Sequence, residues 1–402
     1  MPYAEHNLKF KSLSISLAWL ILTILLLVVI AAIAWANLQW VDHLPRESDF
    51  LYQWQITRGL IFNRTNPYQP ITGYTFKAPF PILVFYFPFA LIENYEFARA
   101  LWITALQITT VVFAYLCIRN TAWIRSLWLA SVLFLFALLW FPAVSIYVNG
   151  SAAPLMAMFF AAALLAIQKG QDEVAGVFLA LSALELRLTL LAVVLLLLWI
   201  AAHRRWITYF WAAVTFLFTN IIGMIFLPSW PVDFARATYQ LTDFRIGQAI
   251  IATTTRWWPG IGTQIGWGIV IIAAVFLIVE WWLVWGKSDK RLTWTLALTW
   301  VLTIWVGFET NIDQVFLLIF ALIVIFAAWN RRWGKLGFAF TLAAMLLLLP
   351  GLWWAAIFFA KRGIAETSNP IFMMAFPLLI IIALYWIRWW YLRPEYLNLS
   401  EV

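Results

Sequence analysis

Residues 14–38 read SISLAWLILTILLLVVIAAIAWANL, twenty-five residues without a charge. A helix of about 20 mostly apolar residues is long enough to cross a bilayer. The run is too long for a cleaved signal and has no small-residue cleavage site. Eleven further hydrophobic runs follow, at about 96–118, 127–147, 152–168, 173–186, 188–202, 206–227, 262–285, 292–308, 314–329, 335–359 and 371–391. The expectation is an all-α polytopic membrane bundle of about 12 transmembrane helices.

Composition agrees with the pattern. The 402 residues are 65% hydrophobic and 11% charged, with a mean hydropathy of +0.88. Soluble domains are about 45–50% apolar and ~25% charged. A soluble enzyme, a disordered chain and a lone anchor are all excluded. The net charge of +8 does not imply nucleic acid, because Lys and Arg of membrane proteins gather in short cytoplasmic loops. With the N-terminus inside, the inner segments hold Lys9, Lys11, Arg119, Arg125, Lys169, Arg204, Arg205, Lys287, Lys290, Arg291, Arg331, Arg332, Lys335, Arg388 and Arg393. Both termini are then cytoplasmic. Trp pairs at 257–258, 281–282, 353–354 and 389–390 lie near the ends of hydrophobic runs, where indole rings anchor at headgroups.

The segment 80–93 (FPILVFYFPFALIE) is short and carries Pro81 and Pro88. It reads as an extracytoplasmic helix lying in the interface. Runs 173–186 and 188–202 read as a tight hairpin with Glu185-Leu186-Arg187 at its outer tip. The organisation expected is a membrane module over 1–227 containing an outer loop with interfacial helices at 39–95, a second outer loop at 228–261, and a variable membrane module at 262–402.

Several chemistries are disfavoured by the residue inventory. A single cysteine, Cys117, permits no intramolecular disulfide. His6, His43 and His203 are far apart, which argues against a histidine-held metal. No GxxxxGK[ST] loop is present, which argues against an ATP-driven pump. Polar chemistry is left to the two long outer segments. One holds Asp42, Glu47, Asp49, Arg58, Arg64 and Lys77; the other holds Asp233, Arg236, Asp243, Arg245 and Arg256.

Asp49 follows the first span in Ser48-Asp49-Phe50-Leu51-Tyr52. A carboxylate among apolar groups near a membrane surface suits a general base; the alternative is a solvated loop aspartate. Tyr52 shares its helical face, as a ligand contact or as packing. Arg58 and Arg64 suit substrate or anionic lipid headgroups. Arg187 either binds an anionic substrate or pairs with Glu185. Asp313 either binds acceptor or caps the helix it begins. Arg256 beside Trp257 and Trp258 reads first as an interface anchor. Glu280, near one end of a Trp-rich run, is expected to snorkel toward water.

The order of short motifs resembles glycosyltransferase family 87, a group of polytopic GT-C enzymes that includes polyprenyl-phosphate-mannose-dependent mannosyltransferases. The stretches carrying the resemblance are Asp49-Phe50-Leu51-Tyr52, then Asn66-Pro67-Tyr68, then Tyr74-Thr-Phe-Lys-Ala-Pro79-Phe-Pro81. They continue with Asn149-Gly150-Ser151-Ala-Ala-Pro154, Gly170-Gln-Asp-Glu-Val-Ala175-Gly176 and Asp313-Gln314-Val-Phe-Leu-Leu. They run in order from about 45 to 320. Departures are Glu185-Leu186-Arg187 where a Lys-Pro pair is common, Ser151 where Gln is common, and Lys77 within the aromatic–Pro stretch.

The resemblance implies an inverting transfer of a mannose-like sugar from a polyprenyl-phosphate donor to a lipid or glycan acceptor on the extracytoplasmic face. Asp49 would be the catalytic base. Tyr52, Arg58, Asn66, Tyr68, Lys77, Arg187, Arg245, Arg256, Asp313 and Gln314 are the candidate substrate contacts. No cofactor is expected; some GT-C enzymes bind a divalent ion, and members resembling this chain commonly do without. The competing expectations are a secondary transporter or lipid-linked-sugar flippase, and a non-catalytic membrane scaffold.

Overall fold

The computed structural model describes residues 23–69, 76, 78–123, 126–240, 246–307, 312–365 and 369–392. Among them the chain is helical throughout, without a strand. The first helix, α1 (Thr23–Val41), is followed by α2 (Asp49–Asn63), a 3-10 helix (Phe80–Phe85), α3 (Phe87–Ala90) and α4 (Tyr95–Asn120). Next come α5 (Leu127–Leu139), α6 (Phe141–Asn149), α7 (Ala153–Gln168), α8 (Asp172–Ser182), α9 (Leu186–Ala202) and α10 (Trp206–Phe226). Then follow α11 (Trp230–Gln240), α12 (Gln248–Trp257), α13 (Gly262–Val284) and α14 (Asp289–Val306). The chain closes with α15 (Asp313–Phe316), α16 (Leu318–Trp333), α17 (Lys335–Ala360) and α18 (Phe376–Tyr391), the last preceded by a π-helical turn at Ile371–Ala375.

A helix lies at each of the twelve expected ranges, but they are not equal. Among the described residues seven are long and apolar enough to cross a membrane, or eight if the bent pair α5–α6 is one span. The protein is therefore an all-helical, multi-pass integral membrane protein. Helix α7 is shorter, and α14 carries Asp289, Lys290 and Arg291 in its first turn. Residues 80–90 form only short turns, too short to span.

Local chemistry explains the boundaries. The Asn94 side chain caps α4 by accepting from the Phe97 amide at 2.7 Å, with Glu96 in the first turn and Arg119 in the last, charges that complement the helix dipole. The α5–α6 bend is 50°. Trp140 is extended there and Pro142 follows in the first turn of α6. Proline has no N–H for the preceding turn and restarts the helix in a new direction. In α13 the buried positions are Gly262, Gly266, Val270, Ala273, Leu277, Glu280 and Val284, one stripe at spacings of three and four. A Cβ at Gly262 or Gly266 would strike Thr254 of α12, so the small residues permit this close helix pair.

The core is centred on α14 and α16. Every residue from Leu292 to Ile304 is buried, as is every residue from Leu318 to Ala328. Over an apolar stretch of 18 residues in each, the span 313–333 is 83% buried and α10 only 6%. Helix α16 is thus wrapped by protein, whereas α10 presents Phe210, Leu217, Phe218, Ile221 and Ile225 outward. Glu280 does not reach for water. It is 4% exposed and forms a bidentate pair with Arg388 at 2.8 and 3.1 Å, with the Tyr385 hydroxyl donating at 2.8 Å. A carboxylate that finds a guanidinium on the adjacent helix needs no water.

The ends of the bundle differ in chemistry. At one end Gln168 donates to the Asn120 carbonyl, Arg205 pairs with Asp172 and donates to the Ile167 carbonyl, and Arg331 donates to the Thr121 carbonyl. Arg205 and Arg331, both expected on one side of the membrane, thus lie at one end of the bundle; Lys9, Lys11, Arg125 and Arg393 lie outside the described residues. At the other end Ser48, Tyr95, Val148 and Asp313 converge.

Candidate functional site

Asp49 is the first residue of α2. Ser48 caps the helix, its Oγ accepting from the Leu51 amide at 3.2 Å, and Ser48 Oγ is also 3.1 Å from Tyr95 Oη. The next residue, Phe50, is fully buried, with ring centroids 5.9 Å from Trp102 and 6.0 Å from Tyr95. The opposite wall is Gly150, at φ +78 after α6, with its carbonyl accepting from Trp102 Nε1 at 2.8 Å. A Cβ on Gly150 would overlap Phe50 Cβ and stand 3.3 Å from the Phe50 amide nitrogen. The backbone bearing Asp49 therefore rests directly on the Gly150 turn.

Ser151 continues that turn and donates to Asp313 Oδ2 at 2.5 Å. Residues 49–50, 149–151 and 313 are thereby brought to one place. Two acidic residues, Asp49 through its neighbour Phe50 and Asp313 through Ser151, are thus tied to one small turn. Gln314, beside Asp313, is 1% exposed, and neither of its amide atoms has a hydrogen-bond partner among the described residues. A buried amide left without partners costs about 1–3 kcal/mol, a cost that a hydroxyl-bearing ligand would relieve. Gly150→Ala is expected to destabilise the protein by about 1–3 kcal/mol, since it adds strain at a left-handed position as well as the overlap. Thermal unfolding in micelles measures it.

Arg99 was not a candidate from sequence, and it organises this end. It is 2% exposed, donating to the Pro45 carbonyl at 2.8 Å and the Val148 carbonyl at 2.7 Å. It ties the segment before Asp49 to the end of α6. The available signal was an arginine one turn inside a span, a position where ionisable residues rarely sit without a role.

A second feature adjoins the first. A cavity of about 310 Å³ lies among the 78–81 stretch, the α8–α9 turn, α10 and α11. Its wall is mainly apolar, with Pro79, Pro81, Phe216, Trp230 and Phe234, and it includes Glu185 and Arg187. The stretch lining it continues to Tyr86, which packs 4.6 Å from Trp102 and 6.3 Å from Phe50. One short segment thus borders both the cavity and the residue next to Asp49.

The remaining candidates separate. Asn66 Nδ2 donates to Asp233 Oδ2 at 2.8 Å, and Asn66 Oδ1 accepts from the Tyr68 amide. Tyr68 Oη donates to the Ala78 carbonyl at 3.1 Å. Burial raises its phenol far above the usual value. The Asn66-Pro67-Tyr68 turn therefore pins the first long loop to α11 and to the cavity wall. The Asp233 carboxyl is lowered, first by the Ser229 hydroxyl and then by the Asn66 amide. A group lowered in the folded state contributes stability above its ordinary pKa, near ~4, and loses it as pH falls through the lowered value. Melting temperature should accordingly fall in that acid range in the wild type, with a smaller acid-dependent drop in Asp233→Asn.

Arg58 donates to the carbonyls of Ala90 and Ile92 and lies 5.0 Å from both the Trp54 and Phe62 rings, so it serves as a brace for α3. Tyr52 is half-buried on α2. Arg256 is exposed at the end of α12 and donates to the Gly363 carbonyl at 3.3 Å. Lys77 and Arg245 lie outside the described residues. Among the described residues no group of three His, Cys, Asp or Glu forms a metal cluster. Compared with protein-family models and with curated proteins, the chain matches none.

Proposed function

We propose that this protein is an inverting glycosyltransferase of the GT-C type, moving a mannose-like sugar from a polyprenyl-phosphate donor to a lipid or glycan acceptor. The observation that carries the reading is the meeting of Phe50, next to Asp49, with Gly150–Ser151 and, through Ser151, Asp313. These are three of the stretches that resemble family 87, and they are distant in sequence. In this reading Asp49 takes the proton of the acceptor hydroxyl. The hydroxyl oxygen attacks the anomeric carbon, and the bond to the phosphate oxygen breaks with its electron pair leaving on the polyprenyl phosphate. Arg187 faces the charge that develops there. The apolar cavity beside it, under the outward-facing α10, suits the start of the prenyl chain. A single base suffices for inversion, with no covalent enzyme intermediate. Asp313 and Gln314 orient the acceptor.

The same reading takes all twelve helical ranges as crossings, residues 80–93 as interfacial, both termini as cytoplasmic and the Asp49 end as extracytoplasmic. Its support is the gathering of basic residues at the opposite end, as the positive-inside rule expects.

The test is release of polyprenyl phosphate by the purified protein in nanodiscs, given a panel of polyprenyl-phosphate sugars and candidate acceptors. Release with sugar transfer is expected. The 50° break between α5 and α6 favours a second reading, a transporter or flippase, because broken spans build transport sites. Movement of intact donor between leaflets of proteoliposomes, without release, would establish that reading instead.

A further inference from the structure

We propose that the groove between α4, α7 and α8 is a binding site for one anionic phospholipid, with Lys169 holding the phosphate. The groove has a volume of about 310 Å³, at the lower end of the range for ligand sites. Val112 and Leu116 of α4, Met158 and Ala162 of α7, and Val174 and Phe178 of α8 form its apolar walls. Val112 and Val174 are exposed, so the groove opens outward from the bundle, where acyl chains lie. The small side chains of Ala162 and Ala166 give it depth.

Its polar residues are Lys169 and Gln171, both exposed and consecutive with the end of α7. Gln168 donates to the Asn120 carbonyl, which sets the ends of α4 and α7 level. Arg119, exposed, lies three residues beyond Leu116 at that same end and is held against Tyr115. The nearest acid in sequence, Asp172, is paired with Arg205, and Glu173 follows it. An apolar groove with a cationic mouth at the basic end of a bundle matches an acyl chain below an anionic headgroup. A zwitterionic choline headgroup would set its own cation beside Lys169 and Arg119. The site lies at the other end of α7 from Ser151, and its test does not involve a sugar donor.

Native mass spectrometry of the full-length protein, released from micelles titrated with phosphatidylglycerol or phosphatidylcholine, tests the proposal. One phosphatidylglycerol is expected to be retained at least about tenfold more tightly than phosphatidylcholine. Lys169→Gln should lower that retention about tenfold and Lys169→Arg should preserve it. Ala162→Phe, which fills the groove, should abolish it, with lipid-free melting temperatures of the lysine variants unchanged. Equal retention of the two lipids would overturn the proposal. So would wild-type retention of phosphatidylglycerol in Lys169→Gln or in Ala162→Phe.

Discussion

Asp49→Asn is expected to reduce sugar transfer by about 10²- to 10⁴-fold, the usual contribution of a positioned general base. The amide has the same shape and cannot take a proton. The variant should still fold, because the Ser48 cap and the burial of Phe50 do not involve the Asp49 carboxylate. The loss at the helix start is about 0.3–1 kcal/mol of dipole interaction. Transfer rate and melting temperature measured on the same preparation separate chemistry from folding. Asp313→Asn is the informative partner. Asp313 accepts from Ser151, and an amide oxygen can still accept that bond, so a smaller loss is expected, carried mainly by the KM for acceptor. A larger loss for Asp313→Asn than for Asp49→Asn would exchange their roles.

The second large effect concerns stability. Removing Arg388 leaves Glu280, 4% exposed, with only the Tyr385 hydroxyl among the described residues donating to it. Breaking a buried ion pair in this way costs about 3–5 kcal/mol. Glu280→Ala is expected to cost somewhat less, since Arg388 lies at the end of α18 and also rests 4.9 Å from the Trp294 ring. The double variant should recover part of either loss, because no uncompensated charge remains. Denaturant unfolding in mixed micelles, analysed as a double-mutant cycle, reads the coupling. Additive losses would mean that the pair contributes nothing as a pair.

The positions of the helices were legible in the sequence because a bilayer demands long apolar runs, and helix is found in the described part of each expected range. Their surroundings were not. Hydropathy scores α10 and α16 alike as spans, yet one faces outward along most of its length and the other is enclosed. Glu280 was read for its distance from a helix end, and its real partner lies more than a hundred residues away. The start of α2 was readable from Ser48-Asp49, since serine before an acidic first turn is a local capping signal. The Ser151–Asp313 and Asn66–Asp233 bonds span 162 and 167 residues. No local pattern encodes them, so the ordered motifs pointed to a site without giving its geometry. Arg99 was the missed residue that local reasoning had the means to find.

Helix α14 also bears on how the chain is made. It begins Asp289-Lys290-Arg291 and buries Thr293, Thr295, Thr299 and Thr303. Such a segment is a poor candidate for independent insertion as it leaves the ribosome. Gln168 of α7 and Trp281 of α13 donate to the Thr293 and Thr299 hydroxyls, but full enclosure waits until α16 and α18 have been synthesised and have closed around it. The enclosure of α14 is therefore completed only by segments made after it. A nascent chain stopped short of α16 would leave α14 covered only on the sides that face α9, α12 and α13.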